Sequence, residues 1–245
     1  MDFQFPKPID WASIPLYKKV EIYGTFLNQK HAKYVDKLQV KPFVLKLTNN
    51  KIKVAKVIRE LKSNIDIQTS DINPNYLLKA AHGSNWLLDF KETKDLPTIK
   101  TALNSWNQIY SQTENQYKYL RPRFFIEEKI NCTYTGKSGK AYDIKVHCIY
   151  GQPYFMLFRN DKHQRNYFDT NWQPIMPLEF PAACPENFAE ILDMCKTLSK
   201  PFEYVRVDLY IGTDGIYFSE YTFTPHGGKQ RLSDTVEITY GKLWT

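Results

Sequence analysis

Three observations predict an α+β fold. VRVDLYI (205–211) alternates apolar and polar residues with the period of a half-buried strand. ENFAEILDMCKTLSK (186–200) sets Phe188, Ile191, Leu192, Cys195 and Leu198 on one helical face. Along the chain such strands and helices do not repeat as regular strand–helix–strand units, which argues against a doubly wound parallel sheet.

Residues 1 to about 35 mix prolines with polar and apolar residues and read as short elements draped over a domain. KIKVAKVIRELK (51–62) brings Val54, Val57, Ile58 and Leu61 to helical spacing. It reads as a helix whose basic face is either solvated or turned to phosphate or a membrane. NYLLK (75–79) is a strand running into the small-residue loop AAHGSN and then the apolar WLL. Residues 95–118 read as a helix, with Pro97 in the first turn and Leu103, Trp106, Ile109 and Tyr110 on one side. RFFIEEKI (123–130) is a strand, and DIKVHCIYGQPYFMLF (143–158) a hairpin turning at Gly151-Gln152-Pro153. FRNDKHQRNYFD carries Arg159, Lys162 and Arg165, either as anion contacts or as a solvated basic loop. Two strands around Thr213-Asp214-Gly215 follow the 186–200 helix, and a basic, glycine-bearing tail closes the chain.

A chain of 245 residues has ample material for one large domain or two lobes. Its 33 basic and 26 acidic residues leave +7, which favours anionic partners without choosing among them. Cys132, Cys148, Cys184 and Cys195 form no C-x-x-C pair and read as four buried thiols in a reducing compartment. MDFQFPKPIDWASIPLYKK has no uninterrupted apolar stretch and no secretion signal, and no run of eighteen apolar residues occurs. The expectation is a cytoplasmic protein without a membrane span.

The 205–225 hairpin holds the sharpest chemical signal. With a three-residue loop, Gly212 pairs with Ile216, Asp208 falls opposite Glu220, and Arg206 opposite Thr222. Val205, Val207, Leu209 and Ile211 then meet Phe223, Tyr221, Ser219 and Tyr217 on the face expected to be core. Facing carboxylates destabilise a sheet unless a divalent cation lies between them, and magnesium accepts one or two carboxylates with phosphate and water completing its shell. The alternative is an exposed hairpin whose acids splay into solvent. Lys79, at a strand end before Ala-Ala-His-Gly-Ser, can hold phosphates together with loop N–H groups; a plain flexible turn is the alternative.

Other chemistries find little support. There is no Walker-type loop, no G-x-G-x-x-G and no G-x-S-x-G. His31, His82, His147, His163 and His226 lack zinc spacing, and no nucleic-acid module or dense basic stripe is present.

Taken in order, YVDKLQVKPFV, YLLKAAHGSNWLL, FFIEEKI, YDIKVHCIYGQPYFM, FDTNW and VRVDLY…IYFSEYTFTP resemble the ATP-grasp superfamily, and within it the TupA-like branch named for teichuronopeptide biosynthesis. The resemblance spans roughly residues 30–245. It implies a two-lobed α+β fold with ATP bound between the lobes: an N-terminal segment 1–35, a small lobe of about 36–130 and a large lobe of about 131–245. Lys37 and Lys79 match the two phosphate-contacting lysines, and residues 80–85, with His82, Gly83 and Ser84, match the phosphate lid. Glu127 and the backbone of Glu128, Lys129 and Ile130 match the adenine hinge. Asp143 matches a ribose-contacting acid, and Lys145 joins the cofactor-binding set. Asp208, Glu220 and Thr222 match the magnesium ligands, and Arg206 the arginine that steadies the reacting groups.

The implied activity is ATP- and Mg²⁺-dependent joining of a carboxylate to an amine through an acyl phosphate. Its substrate would be an acidic glycan precursor or an amino acid; nucleic acid is not expected as a partner. Two departures stand out. Thr222 takes the place of the amide in the E-x-N of many ATP-grasp enzymes, as it does in the TupA-like branch. Only about 35 residues precede Lys37, so the acceptor site is expected elsewhere in the chain or on a partner. A catalytically silent nucleotide-binding protein and an ATP-dependent phosphotransferase are the alternatives.

Overall fold

The computed structural model describes residues 5–110, 114–136 and 141–245. Its helices are α1 (Leu16–Phe26), α2 (Gln29–Val35), α3 (Val40–Leu47), α4 (Leu96–Trp106), α5 (Phe188–Ser199) and α6 (Asp234–Gly241). Its strands are β1 (Lys53–Val54), β2 (Val57–Leu61), β3 (Tyr76–Ala80), β4 (Leu87–Asp89), β5 (Phe124–Glu128), β6 (Asp143–Ile149), β7 (Gln152–Arg159), β8 (Arg165–Asp169), β9 (Tyr204–Gly212) and β10 (Gly215–Thr222).

Two compact units result. One takes Met1–Phe26, Pro42–Lys53 and Cys132–Thr245; the other takes Leu27–Lys41 and Val54–Asn131. The first is built on a six-stranded sheet in the order β1-β10-β9-β6-β7-β8, with every pairing from β10 to β8 antiparallel. One face of that sheet is apolar, and α5 covers it with Ile191, Met194, Cys195 and Leu198. Tyr221 ties the layers together, its hydroxyl donating to the Leu198 carbonyl at 2.8 Å. The second unit packs a four-stranded sheet, β2-β5-β3-β4, against α4. Leu78, Ala80, Phe124 and Ile126 from the strands meet Ile99, Leu103 and Trp106 from the helix.

Several sequence expectations change. Residues 51–62 form β1 and β2, not a helix. Four apolar residues fit a helical stripe over so short a window, but Val54, Val57 and Ile58 are β-branched, and β5 offers Val57–Leu61 a ladder. The 95–118 helix stops at Trp106, and Ile109 is exposed. The N-terminal segment contains an eleven-residue helix, α1, whose Lys19 is buried and donates to the carbonyls of Gly241 and Trp244 at 2.9 and 2.6 Å. The β6–β7 hairpin turns at Tyr150-Gly151, whose φ angles of +50° and +74° make a two-residue turn suited to strand twist. Part of the expected basic loop is β8, paired with β7. Cys184 is exposed and Cys132 half-buried, so only Cys148 and Cys195 are the buried thiols expected. No helix among the described residues is long and apolar enough to cross a membrane.

Candidate active site

The β9–β10 hairpin reaches the expected acid pair by a different route. Its loop is two residues, because Gly212 pairs with Gly215 and Ile211 with Ile216. A bulge at Ser219 then absorbs one residue, so Glu220 lies opposite Asp208 and Thr222 opposite Arg206. Without the bulge this two-residue turn would set Glu220 opposite Val207 on the core face and turn Tyr221 and Phe223 away from it; with the bulge, Ile216, Phe218, Tyr221 and Phe223 are all buried. The pairings assigned above to Ser219 and Tyr217 are therefore replaced by Phe218 with Leu209 and Ile216 with Ile211.

Strand register arranges the polar face of this sheet in rows. One row runs Glu220, Asp208, Lys145, Leu157, Tyr167 across β10, β9, β6, β7 and β8. Beside it lie Asp143, Arg159 and Arg165 on one side, and Thr222, Arg206, His147 and Phe155 on the other. Asp208 is buried, and Arg206 grips it through both oxygens, at 2.7 Å each, while Lys145 reaches Oδ2 at 2.5 Å. Burial alone would raise its pKa, but the Arg206 and Lys145 charges outweigh that and hold the carboxyl below the usual range. The Thr222 hydroxyl accepts from Arg206 at 3.0 Å. Asp143 accepts from Arg159 at 2.5 Å and lies 3.6 Å from Lys145; its Oδ1 is buried without a partner. His147 stacks on Phe155 with ring centroids 4.1 Å apart and shares a 2.9 Å hydrogen bond with the Tyr204 hydroxyl. Burial and the neighbouring Arg206 charge push its pKa down to about 3, so the ring is neutral at ordinary pH.

This donor set fits magnesium. Asp208, Glu220 and Thr222 are neighbours on one face, all hard oxygen donors, and among the described residues no cluster of three or more acidic, histidine or cysteine side chains forms a protein cage. Magnesium, which keeps water and phosphate ligands, is the divalent ion that such a partial shell serves.

The second unit gathers lysines. Lys79 and Lys41 both pair with the buried Glu127, Lys41 at 2.8 Å. Burial works against the Glu127 charge, and the two ammonium groups more than offset it, so its pKa is lowered. Lys37 donates through Nζ to the Gly83 carbonyl at 2.5 Å and through its backbone N–H to Ala81 at 3.1 Å. Two sequence assignments shift here. The fully buried His82 ring accepts the Arg123 N–H at 3.1 Å and donates to the Trp106 carbonyl at 2.9 Å, so it anchors the loop and presents nothing to a phosphate. Ala80 and Ala81 are also hydrogen-bonded, which starts the loop proper at Gly83. There a Cβ would lie 2.5 Å from the Trp86 ring, so only glycine fits. The Glu127 side chain pairs with Lys41 and Lys79, and the N–H groups of Glu128 and Lys129 donate to the Lys56 and Asn75 carbonyls at 2.9 Å each. Lys129 itself pairs with Asp89 at 2.5 Å.

Lys41 and His147 were not picked out from the sequence. Lys41 has no local signal, since only tertiary packing brings it to Glu127. His147 had one: it sits two residues beyond Lys145 on the same strand face.

Comparisons with known proteins agree with this architecture. The fold is that of the ATP-grasp proteins: D-alanine–D-alanine ligase from Helicobacter pylori superposes with a TM-score of 0.56 at 16% identity, over 96% of this chain and 70% of that one. N5-carboxyaminoimidazole ribonucleotide synthetase in its ADP complex gives 0.51 at 13%, over 86% and 52%. The chain thus spans about half to seven-tenths of these structures. No curated protein matches it. Residues 18–242 match the family described as TupA-like ATPgrasp, and the chain belongs to that family.

Proposed function

We propose that this protein is an ATP- and magnesium-dependent ligase that forms an amide between a carboxylate and an amine, acting in the cytoplasm on a cell-surface glycan precursor or its amino acid substituent. The observation that carries the proposal is the placement of Asp208 opposite Glu220 on a face that also holds Arg206 and Lys145. Bound there, magnesium would neutralise charge on the triphosphate. Asp208 and Glu220 would hold the ion with Thr222 as the third protein oxygen. Lys145, hydrogen-bonded to Asp208 in this structure, would turn to a phosphate oxygen once the ion shares that carboxylate. Lys37, Lys79 and the Gly83-Ser84 backbone would supply further positive charge to phosphates, with Glu127 holding the Lys79 ammonium group in place. Arg206 would steady the acyl phosphate and the oxyanion formed when the amine attacks. The net charge of +7 suits an acidic glycan.

Incubation with ATP, magnesium and pools of uronic acids and amino acids tests the proposal. Phosphate release with an amide product, identified by mass spectrometry, is the expected result. A phosphorylated product would make the protein a phosphotransferase, and no turnover with any pair would make it a silent nucleotide binder.

A further inference from the structure

The Glu127 carboxylate has two ammonium groups on it, one more than its charge requires. The β3–β5 register sets Lys79 opposite Phe125 and Leu77 opposite Glu127, so Lys79 and Glu127 are diagonal neighbours on one face of the four-stranded sheet. Leu78, Ala80, Phe124 and Ile126 take the other face, against α4. Lys41 reaches the same carboxylate as the second residue of α3, at the helix end where the macrodipole disfavours a cation. Helix electrostatics therefore give no reason for a lysine there; Glu127 does.

The two lysines are held differently. Lys41 donates to Glu127 Oε2 at 2.8 Å and to the Ala55 carbonyl at 2.5 Å, with its Nζ 5.7 Å from the centroid of the Phe125 ring. Lys79 pairs with Oε1, and among the described residues no second acceptor holds it. Its side chain is 20% exposed, against 13% for Lys41. Burial is the main cause of a lowered Lys41 pKa; Glu127 opposes it and Lys79 adds to it, so the three groups share one field.

The extra cation decides the net charge. A carboxylate paired with Lys79 alone would orient that ammonium group and also cancel it, leaving no net charge for a phosphate. A buried carboxylate would also hold a single partner firmly, since parting them strands a charge. With Lys41 present the trio keeps one net positive charge, and Glu127 stays paired when Lys79 turns to another acceptor.

Resting on the ligase reading above, in which Lys79 serves the nucleotide phosphates, we infer that Lys41 is a positioning residue for Lys79. It is the fixed counter-ion of Glu127, so that Glu127 orients Lys79 without cancelling its charge. Lys41 acts through Glu127 and not by contact with the nucleotide.

Calorimetric titration of the full chain with Mg²⁺ and a non-hydrolysable ATP analogue tests this on wild type, Lys41→Gln, Lys41→Met, Lys41→Arg and the double variant Lys41→Gln/Glu127→Gln. Lys46→Gln, exposed on the same helix, is the control for loss of one charge. Lys41→Gln keeps a donor for Glu127 and Ala55 without the charge, and Lys41→Met removes both. Each should weaken analogue binding at least tenfold while the circular dichroism spectrum stays that of the folded protein; Lys41→Arg and Lys46→Gln should stay within threefold of wild type. In the double variant the carboxylate that cancels Lys79 is gone, and binding should recover at least fivefold over Lys41→Gln. A merely structural role for Lys41 would give further loss there and no recovery. The inference is overturned if folded Lys41→Gln or Lys41→Met binds the analogue as wild type does, or if the double variant binds no better than Lys41→Gln. Failure of the analogue to bind wild type would sink the ligase reading and this inference with it, whereas wild-type binding that is indifferent to Lys41 would sink the inference alone.

Discussion

Asp208 faces Glu220 across the β9–β10 ladder because an extra residue at Ser219 bulges out of it. The bulge reconciles two demands that a regular hairpin with this two-residue turn cannot meet together. Ile216 and Phe218 must enter the core, and Glu220 and Thr222 must share the polar face with Asp208 and Arg206. In the structure Arg206 and Lys145 neutralise Asp208, so the acid pair is held ready by cations on its own sheet.

Arg206 is buried and engages both Asp208 oxygens. Removing one partner of a buried ion pair leaves an uncompensated charge, at a cost of about 3–5 kcal/mol. Arg206→Ala should lower stability by that amount in chemical denaturation, whereas Lys18→Ala, which breaks an exposed pair with Glu21, should leave the denaturation midpoint essentially where it is.

His147 gives the protein an acid-sensitive element. Its folded pKa of about 3 lies below the value of about 6.5 expected in an unfolded chain. Above pH 6.5 both states are neutral and its contribution is complete. As pH falls from 6.5 towards 3 the unfolded state takes up a proton that the folded state refuses, and stability is lost at up to about 1.4 kcal/mol per pH unit. Denaturation midpoints measured between pH 7.5 and 4.5 should fall less steeply in His147→Gln than in wild type. Identical slopes would contradict the assignment.

His82 is expected to matter for stability before it matters for nucleotide contact. His82→Ala leaves the Arg123 N–H and the Trp106 carbonyl without their partner. A loss of about 1–3 kcal/mol for each group left unsatisfied follows, read by thermal or chemical unfolding. His82→Gln, able to accept and donate, should recover part of it.

Much of this was legible in the sequence wherever local pattern and tertiary context agree. The strands at 75–79, 123–130 and 143–158 and the 186–200 helix fall in place because their apolar periodicity matches the surface they cover. The acid pair was legible too, though by cancellation: the loop is one residue shorter than assumed and the bulge one residue longer. Nothing in Phe218-Ser219-Glu220 announces that bulge; the buried side chains on both sides impose it. The 51–62 stretch was misread because twelve residues accommodate both periods, and only pairing with β5 decides between them. His82 was placed with the phosphate loop because residues 80–85 resemble the family's phosphate lid; its burial depends on Trp106 and Arg123, far away in sequence.

The central claim is that Asp208 and Glu220 jointly hold the divalent ion that accompanies ATP. Electron paramagnetic resonance titration of Mn²⁺, standing in for Mg²⁺, in the presence of a non-hydrolysable ATP analogue tests it most directly. Asp208→Asn and Glu220→Gln should each weaken Mn²⁺ binding at least tenfold while the circular dichroism spectrum stays that of the folded protein. Unchanged Mn²⁺ affinity in both folded variants would contradict the account.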